Sequence, residues 1–132
     1  MSAVLAQGDL LAARQFGPFT AGAVAAYAQA SGDDNPLHFD PAIAARAGLE
    51  RPPVHGMLIM GCFEPFVGAW RPDAKIAKLS AKFIRPVLTG DTVEISGKVV
   101  RLGEDGSAVL RLTVRGENGR DIVCLAEIFI VP

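Results

Sequence analysis

The sequence predicts an α+β fold in which an antiparallel β-sheet surrounds one long helix. Residues 55–69 are apolar almost all round, as in a helix that is buried inside a protein. From Lys75 onward, apolar and polar residues alternate with the period of two that is typical of β-strands. Because these strands follow one another without intervening helices, we expect an antiparallel sheet packed on the helix.

The first half of the chain predicts one strand and two helices. Residues 9–19 have the composition of a short strand. Thr20 is expected to cap a helix that runs to about Ala30, and Gly32 is expected to end it. Asp40-Pro41 then predicts the start of a second, short helix, because Pro is favoured at the first helical position.

The apolar segment 55–69 contains two residues that argue against a membrane span. It is too short to cross a bilayer, and it includes Glu64 and Pro65. Pro65 would clash with the carbonyl group of Gly61, four residues earlier. We therefore expect one long central helix with a kink, buried inside the protein.

The second half of the chain predicts four strands joined by tight turns. Asn118-Gly119 is a strong hairpin signal. The last strand is apolar on both faces, which predicts a strand that is covered on both sides. The expected strands lie at residues 76–84, 91–101, 110–114 and 121–131.

Composition narrows the class of protein. The 132 residues fit a single domain spanning 1–132, and half of them are apolar, which favours burial of surface in an oligomer. The net charge is −1 and no block of basic residues occurs, so a nucleic-acid partner is not expected. Cys62 and Cys124 lie in apolar surroundings without a C-x-x-C pair, which predicts reduced thiols in a cytoplasmic protein.

The segment Ser31 to Met57 carries the residues best suited to chemistry. It begins S-G-D-D-N-P-L-H-F-D-P and ends P-P-V-H-G-M. Asp33 and His38 lie in a part that is too rich in Gly, Asn and Pro to stay helical. Catalytic groups are frequently found on such loops when a rigid scaffold holds them.

These two motifs, followed by F-I-R-P-V-L-T-G-D-T-V, resemble the MaoC-like, (R)-specific enoyl-CoA hydratases. The resemblance covers nearly the whole chain, with the motifs in the right order. It implies the hot-dog fold, a homodimer whose two sheets join, and a substrate thioester bound near the subunit interface. It also implies that Asp33 and His38 are the catalytic pair, and that the backbone N–H of Gly56 binds the thioester oxygen.

The implied reaction is the reversible hydration of trans-2-enoyl-CoA to (R)-3-hydroxyacyl-CoA. It needs a base for the attacking water, an acid for C2 and a donor for the thioester oxygen, and Asp and His suit the proton transfers. No metal or redox cofactor is expected, since only protons move. An acyl-carrier-protein substrate in place of the CoA ester remains open.

Glu64 departs from the pattern of the family, which usually has a small hydroxyl residue there. A carboxylate on an apolar helix must be paired, neutral or facing a cavity. Glu64 is therefore expected either to line the pocket or to make a structural hydrogen bond or ion pair. Two alternative functions follow: an acyl-CoA thioesterase of the same fold that uses Glu64, and a non-catalytic acyl-thioester binding protein.

Four further residues have expected roles in or near the site. Asn35 is expected to orient the bound water or to hold the turn, and Met60 and Phe63 are expected to line the substrate pocket with Glu64. His55 precedes the central helix and is expected to be structural. A metal site formed by Asp33, His38 and His55 is not expected, because the spacing of a zinc site is absent.

Overall fold

The computed structural model describes residues 4–132, so the first three residues of the domain predicted over 1–132 lie outside the described part. In this part of the chain, four helices and one 3-10 turn at Pro36–His38 lie between the first strand and the remaining four strands. The strands are β1 Leu10–Phe16, β2 Lys75–Phe83, β3 Val93–Leu102, β4 Ala108–Arg115 and β5 Ile122–Val131. The helices are α1 Ala21–Ser31, α2 Pro41–Arg46, α3 Gly56–Met60 and α4 Phe63–Trp70.

The strands form one antiparallel sheet in the order β1-β3-β4-β5-β2. The three strands β3, β4 and β5 form a meander, and its turns fall at the predicted places. Gly106 and Gly119 adopt φ angles of 85° and 72° there, which only glycine reaches without strain. The other two strands lie at the edges, so within residues 4–132 β2 pairs with β5 alone.

The inner face of the sheet packs on the central helical segment. Phe63, Phe66 and Val67 of α4 are almost completely buried and belong to one hydrophobic core with the inward residues of the strands. Ile95 and Leu112 are representative of those strand residues, and both are fully buried. This sheet wrapped around a central helical segment is the hot-dog fold, so the predicted fold class is confirmed.

The central segment differs from the expected single helix, because it consists of α3 and α4 separated by a turn at residues 61–62. The Cys62 N–H donates to the Ile59 carbonyl group three residues back, which tightens and ends α3. The break places Pro65 in the first turn of α4, where a missing N–H leaves no hydrogen bond unmade. The interruption thus lies where Pro65 predicts a bend, but it is a break and not a kink.

The expectation that β5 is covered on both faces is wrong within this chain. Alternate residues of β5 are buried in the core, whereas Leu125 and Phe129 on the other face are 37% and 42% exposed. The helices lie on one face of the sheet only, so nothing within the described residues covers the outer face. No helix in residues 4–132 has the length and apolar character that a membrane crossing requires.

Candidate active site

The loop that carries Asp33 and His38 is held between two capped helix ends. Helix α1 ends at Gly32, which adopts a φ of 80°, and α2 begins after Asp40, whose side chain accepts a hydrogen bond from the Ala42 N–H. Both ends are those that the sequence predicts. Asn35 Oδ1 accepts a hydrogen bond of 3.0 Å from the Leu37 N–H and so caps the 3-10 turn.

His38 is oriented by a backbone carbonyl group from another segment. Its Nδ1 lies 2.7 Å from the carbonyl oxygen of Pro53. Because a carbonyl oxygen only accepts hydrogen bonds, Nδ1 must carry the proton. In the neutral ring, Nε2 then keeps its lone pair, so His38 can accept a proton there and return it later.

The Asp33 carboxylate lies next to His38 and remains accessible to solvent. Its side chain is 53% exposed, and Oδ1 accepts a weak hydrogen bond of 3.4 Å from the Asn35 N–H. One side-chain donor or acceptor atom of each of Asp33, His38 and His55 lies within 4.8 Å of the other two. The structure therefore brings together the two residues that the resemblance assigned to the catalytic pair.

His55 is also part of this cluster, although the sequence predicted only a structural role for it. It is 2% exposed, and within residues 4–132 it is the one buried polar or charged side chain. Its ring stacks on His38 with centroids 3.7 Å apart and planes 23° from parallel. Its Nε2 donates to the Asp33 carbonyl oxygen over 3.0 Å. The feature of the sequence that could have indicated this place in the site is the position of His55 directly before Gly56.

The arrangement of the three residues does not suit a metal ion. A metal ligand nitrogen directs its lone pair along the plane of its own ring, at roughly 2.0–2.1 Å from zinc. The rings of His38 and His55 stack 3.7 Å apart in nearly parallel planes, so the lone pairs in these planes do not converge on one point. The ring geometry therefore favours proton transfer over metal binding.

Gly56 begins α3 immediately after His55. Its N–H has no hydrogen-bond acceptor among residues 4–132, and the residue is half-buried. A cavity of about 340 Å³ lies beside it and includes Phe83, Ile84 and Arg85 in its lining. With only five residues, α3 adds little dipole, so any anion binding here depends on the free N–H itself.

The other predicted pocket residues are not part of this cluster. Phe63 is fully buried in the core, and Met60 is half-buried and packs against the same core. Glu64 is exposed on α4 and makes no hydrogen bond or ion pair with the described residues. Both expectations for Glu64 assumed a buried carboxylate; α4 instead buries Phe63, Phe66 and Val67 and leaves Glu64 on its solvent face.

Comparison with known proteins identifies the family of this chain. The family model of the MaoC-like domain matches residues 6–117. An (R)-specific enoyl-CoA hydratase of Aeromonas caviae is 43% identical over 99 residues, which cover 74% of this chain and 73% of the relative. A mitochondrial 3-hydroxyacyl-[acyl-carrier-protein] dehydratase of Arabidopsis thaliana is 41% identical over 90 residues, covering 68% of this chain and 53% of the relative.

Solved structures agree with this assignment. The (R)-hydratase from A. caviae superposes with a TM-score of 0.87 at 35% identity, over 99% of this chain and 100% of that chain. An R-hydratase from Pseudomonas aeruginosa superposes with a TM-score of 0.85 over 96% of this chain and 81% of that chain, and its identity of 24% supports the fold alone. The chain belongs to the MaoC-like domain family.

Proposed function

We propose that this protein is a hydro-lyase that adds water reversibly to trans-2-enoyl-CoA and forms (R)-3-hydroxyacyl-CoA. The observation that carries the proposal is the pairing of Asp33 with a His38 ring whose Nδ1 is bonded to the Pro53 carbonyl group. This leaves a basic nitrogen and a carboxylate side by side on the surface of the loop. The 43% identity to the A. caviae hydratase supports the same reaction.

Asp33 and His38 together perform the proton transfers. They hold one water molecule by hydrogen bonds and accept a proton from it as its oxygen bonds to C3 of the enoyl group. The electron pair of the C2–C3 double bond moves toward the thioester, and Asp33 and His38 then return a proton to C2. Each such proton transfer is worth roughly 10²–10⁴-fold in rate when the group is well placed. The net change is the addition of one water molecule, which requires no redox cofactor.

Gly56 supplies the third requirement of the reaction. As the water attacks C3, negative charge develops on the thioester oxygen, and the N–H of Gly56 is the proposed donor to it. This N–H has no acceptor within residues 4–132, so it is available for a substrate oxygen. Loss of one such donor lowers the rate of other enzymes by about 10²–10³-fold.

The test follows two signals in one cuvette with crotonyl-CoA and a medium-chain enoyl-CoA. We expect loss of the conjugated double bond without release of free thiol. Asp33→Asn and His38→Gln should each lower the rate by at least ~10²-fold while the circular dichroism spectrum and the unfolding midpoint stay close to those of the wild type. Wild-type activity in the Asp33→Asn, His38→Gln double variant would contradict the assigned pair.

The same experiment distinguishes the other functions. Thiol release would identify a thioesterase. Neither double-bond loss nor thiol release, together with measurable binding of the CoA ester, would identify a binding protein. Turnover of an enoyl-acyl-carrier protein but not of either CoA ester would identify the protein carrier as the substrate. The relatives named for CoA and for acyl-carrier-protein substrates make this last comparison necessary.

We also propose that the protein forms a homodimer in which two β2 edges join the sheets. Among the described residues, strand β2 has one neighbour in the sheet. Its last residue, Phe83, and the residue that follows it, Ile84, are exposed apolar side chains, at 44% and 47%. An unpaired edge with exposed apolar side chains is a surface that natural proteins usually cover. Sedimentation equilibrium should give twice the mass of 13.9 kDa. A monomer at all concentrations would contradict the proposal.

A cytoplasmic location is the proposal that best fits the cysteines. Cys62 and Cys124 are both free thiols, and Cys124 is buried in the core. Free thiols are typical of reducing compartments. Expression of a fluorescent fusion followed by cell fractionation would test the location, and recovery in an exported fraction would contradict it.

A further inference from the structure

We infer that His55 is a positioning residue, which holds Asp33 and His38 in the geometry that hydration requires. This inference rests on the proposed function, because it concerns the residues assigned there to proton transfer. It goes beyond that function by giving a role to a third side chain that touches neither water nor substrate.

Two hydrogen bonds join the catalytic loop to the segment before α3, and they run in opposite directions. The side chain of His38, on the loop, donates to the backbone carbonyl group of Pro53 over 2.7 Å. The side chain of His55, on the segment, donates to the backbone carbonyl group of Asp33 over 3.0 Å. We call this reciprocal pair of bonds the loop clasp. Because each bond ends on backbone, the clasp fixes the main chain of both segments and not only their side chains.

The segment side of the clasp is anchored to the body of the fold. The Val54 N–H donates to the Val87 carbonyl group over 2.7 Å, and Pro53 forms an isolated β-bridge with Leu88. On the loop side, Asp33 is exposed and makes only short-range hydrogen bonds besides the one from His55. The bond from His55 is therefore the contact that ties the backbone of Asp33 to the rigid part of the molecule.

The ring of His55 also fixes the plane of His38. The two rings stack at 3.7 Å, and Tyr27 packs against His55 with ring centroids 4.8 Å apart. Burial and these two ring contacts hold the side chain of His55 in place. A fixed ring plane in His38, together with its bonded Nδ1, sets the direction of the Nε2 lone pair.

His55 itself has no nitrogen available for the reacting water. Its Nε2 is bonded to the Asp33 carbonyl group, and its Nδ1 is buried without a partner in residues 4–132. It must therefore act through Asp33 and His38. Misplacement of a reacting group by about 1 Å can cost 10²-fold in rate, so loss of the clasp should lower kcat far more than it raises KM.

Two substitutions separate the stacking of the His55 ring from its hydrogen bond to the Asp33 carbonyl group. His55→Phe keeps an aromatic ring for stacking but removes the donor to the Asp33 carbonyl group. His55→Gln loses the ring but places an amide N–H close to the position of Nε2. We expect His55→Phe to lower kcat by ~10–100-fold with KM changed less than about threefold, and His55→Gln to recover at least ~tenfold of that loss. Val99→Ala, a buried change in β3, controls for a general loss of stability.

A double-mutant cycle tests whether His55 acts through Asp33. In the Asp33→Asn background, the carboxylate that needs positioning is gone, so His55→Phe should lower kcat further by less than about twofold. Equal effects in the two backgrounds, or an unchanged kcat in His55→Phe, would overturn the inference. Should His55→Phe not fold, His55→Asn replaces it, because its shorter amide cannot reach the Asp33 carbonyl group and should behave as Phe does.

A measurement independent of turnover distinguishes this inference from the proposed function. The chain has two histidines, so the ring nitrogens of each can be assigned by ¹⁵N NMR in the wild type and the variants. We expect a proton on Nε2 of His55 and on Nδ1 of His38, and in His55→Phe we expect Nδ1 of His38 to keep its proton, because the bond to the Pro53 carbonyl group remains. A proton on Nδ1 instead of Nε2 of His55 in the wild type would overturn the clasp. An absence of hydratase activity in the wild type, with the NMR result as expected, would overturn the proposed function alone.

Discussion

The ring of Phe83, at the end of β2, lies so close to Gly56, at the start of α3, that a larger residue at position 56 would require the ring to shift. A Cβ atom at position 56 would lie 3.0 Å from Cζ and 3.1 Å from Cε2 of Phe83. The φ of Gly56 is not positive, so its backbone does not require glycine. Close approach of the neighbouring ring is the reason for glycine here, and it places Phe83 beside the N–H that is proposed to bind the thioester oxygen.

Gly56→Ala should therefore destabilise the protein and lower its activity. The added methyl group must displace the Phe83 ring, and such overpacking costs about 1–3 kcal/mol in free energy of unfolding, with the low end expected for a ring that is 44% exposed. Phe83→Leu in the same chain should recover the stability, because it removes the edge of the ring. Urea denaturation of Gly56→Ala, and of Gly56→Ala combined with Phe83→Leu, measures the loss and the recovery of stability.

Gly68→Ala is the matched control for this prediction. Gly68 also lies in the central helical segment, but a Cβ atom added there would meet no atom within 4 Å outside its own helix. Alanine should raise the free energy of unfolding by about 0.4–1 kcal/mol at this position, since it restricts the unfolded chain and favours the helix. Equal effects at positions 56 and 68 would show that contact with Phe83 does not decide the outcome.

The sequence predicted the sheet and the helix ends because these depend on local chemistry. Thr20 and Asp40 cap helices through bonds to residues two or three positions away, and burial largely alternates along β3, β4 and β5. These patterns are visible in the order of residues alone. The motif likewise brought Asp33 and His38 to notice before their contact was known.

The sequence could not predict what depends on distant contacts. Pro65 indicated an interruption of the central helix, but whether the chain would bend or break was decided by how α4 packs in the core. Apolar residues on both faces of β5 could not show that one face lacks a covering layer in this chain. The role of His55 follows from its stacking on His38, seventeen positions away, which no local pattern records.

Glu64→Gln should leave hydration unchanged within about twofold, because an exposed side chain without partners in residues 4–132 seldom affects function or stability. The initial rates of double-bond loss and of thiol release would both be measured. A thioesterase that uses Glu64 predicts the reverse result, in which thiol release is present in the wild type and absent in the variant.

Cys124 should make the stability fall more steeply at alkaline pH. Burial raises the pKa of its thiol from the ordinary value of 9.0 to about 11, against a smaller lowering by a hydrogen bond from the Lys82 backbone. The unfolded chain therefore loses this proton first as the pH rises. The contribution is fully present below pH 9.0 and is lost as the pH approaches about 11.

Urea denaturation of Cys124→Ala at several pH values isolates this contribution. The variant should be less stable at about pH 8, because it leaves a small cavity in the core, but its stability should decline less between pH 9 and 11 than that of the wild type. Parallel declines in the two proteins would show that the thiol ionises equally in the folded and unfolded chains.

Asn35 can be assigned to one of its two expected roles by substitution. Its Oδ1 accepts from the Leu37 N–H, so the structure contains the contact that holds the turn. Asn35→Ala removes this acceptor and should cost about 0.5–2 kcal/mol in free energy of unfolding, whereas Asn35→Ser keeps a good capping group and should cost less than half as much. If the turn is the whole role of Asn35, kcat should follow the cap, falling in the Ala variant and recovering in the Ser variant. An equal fall of kcat in both, with stability recovered only by Ser, would assign the Asn35 amide to the bound water instead.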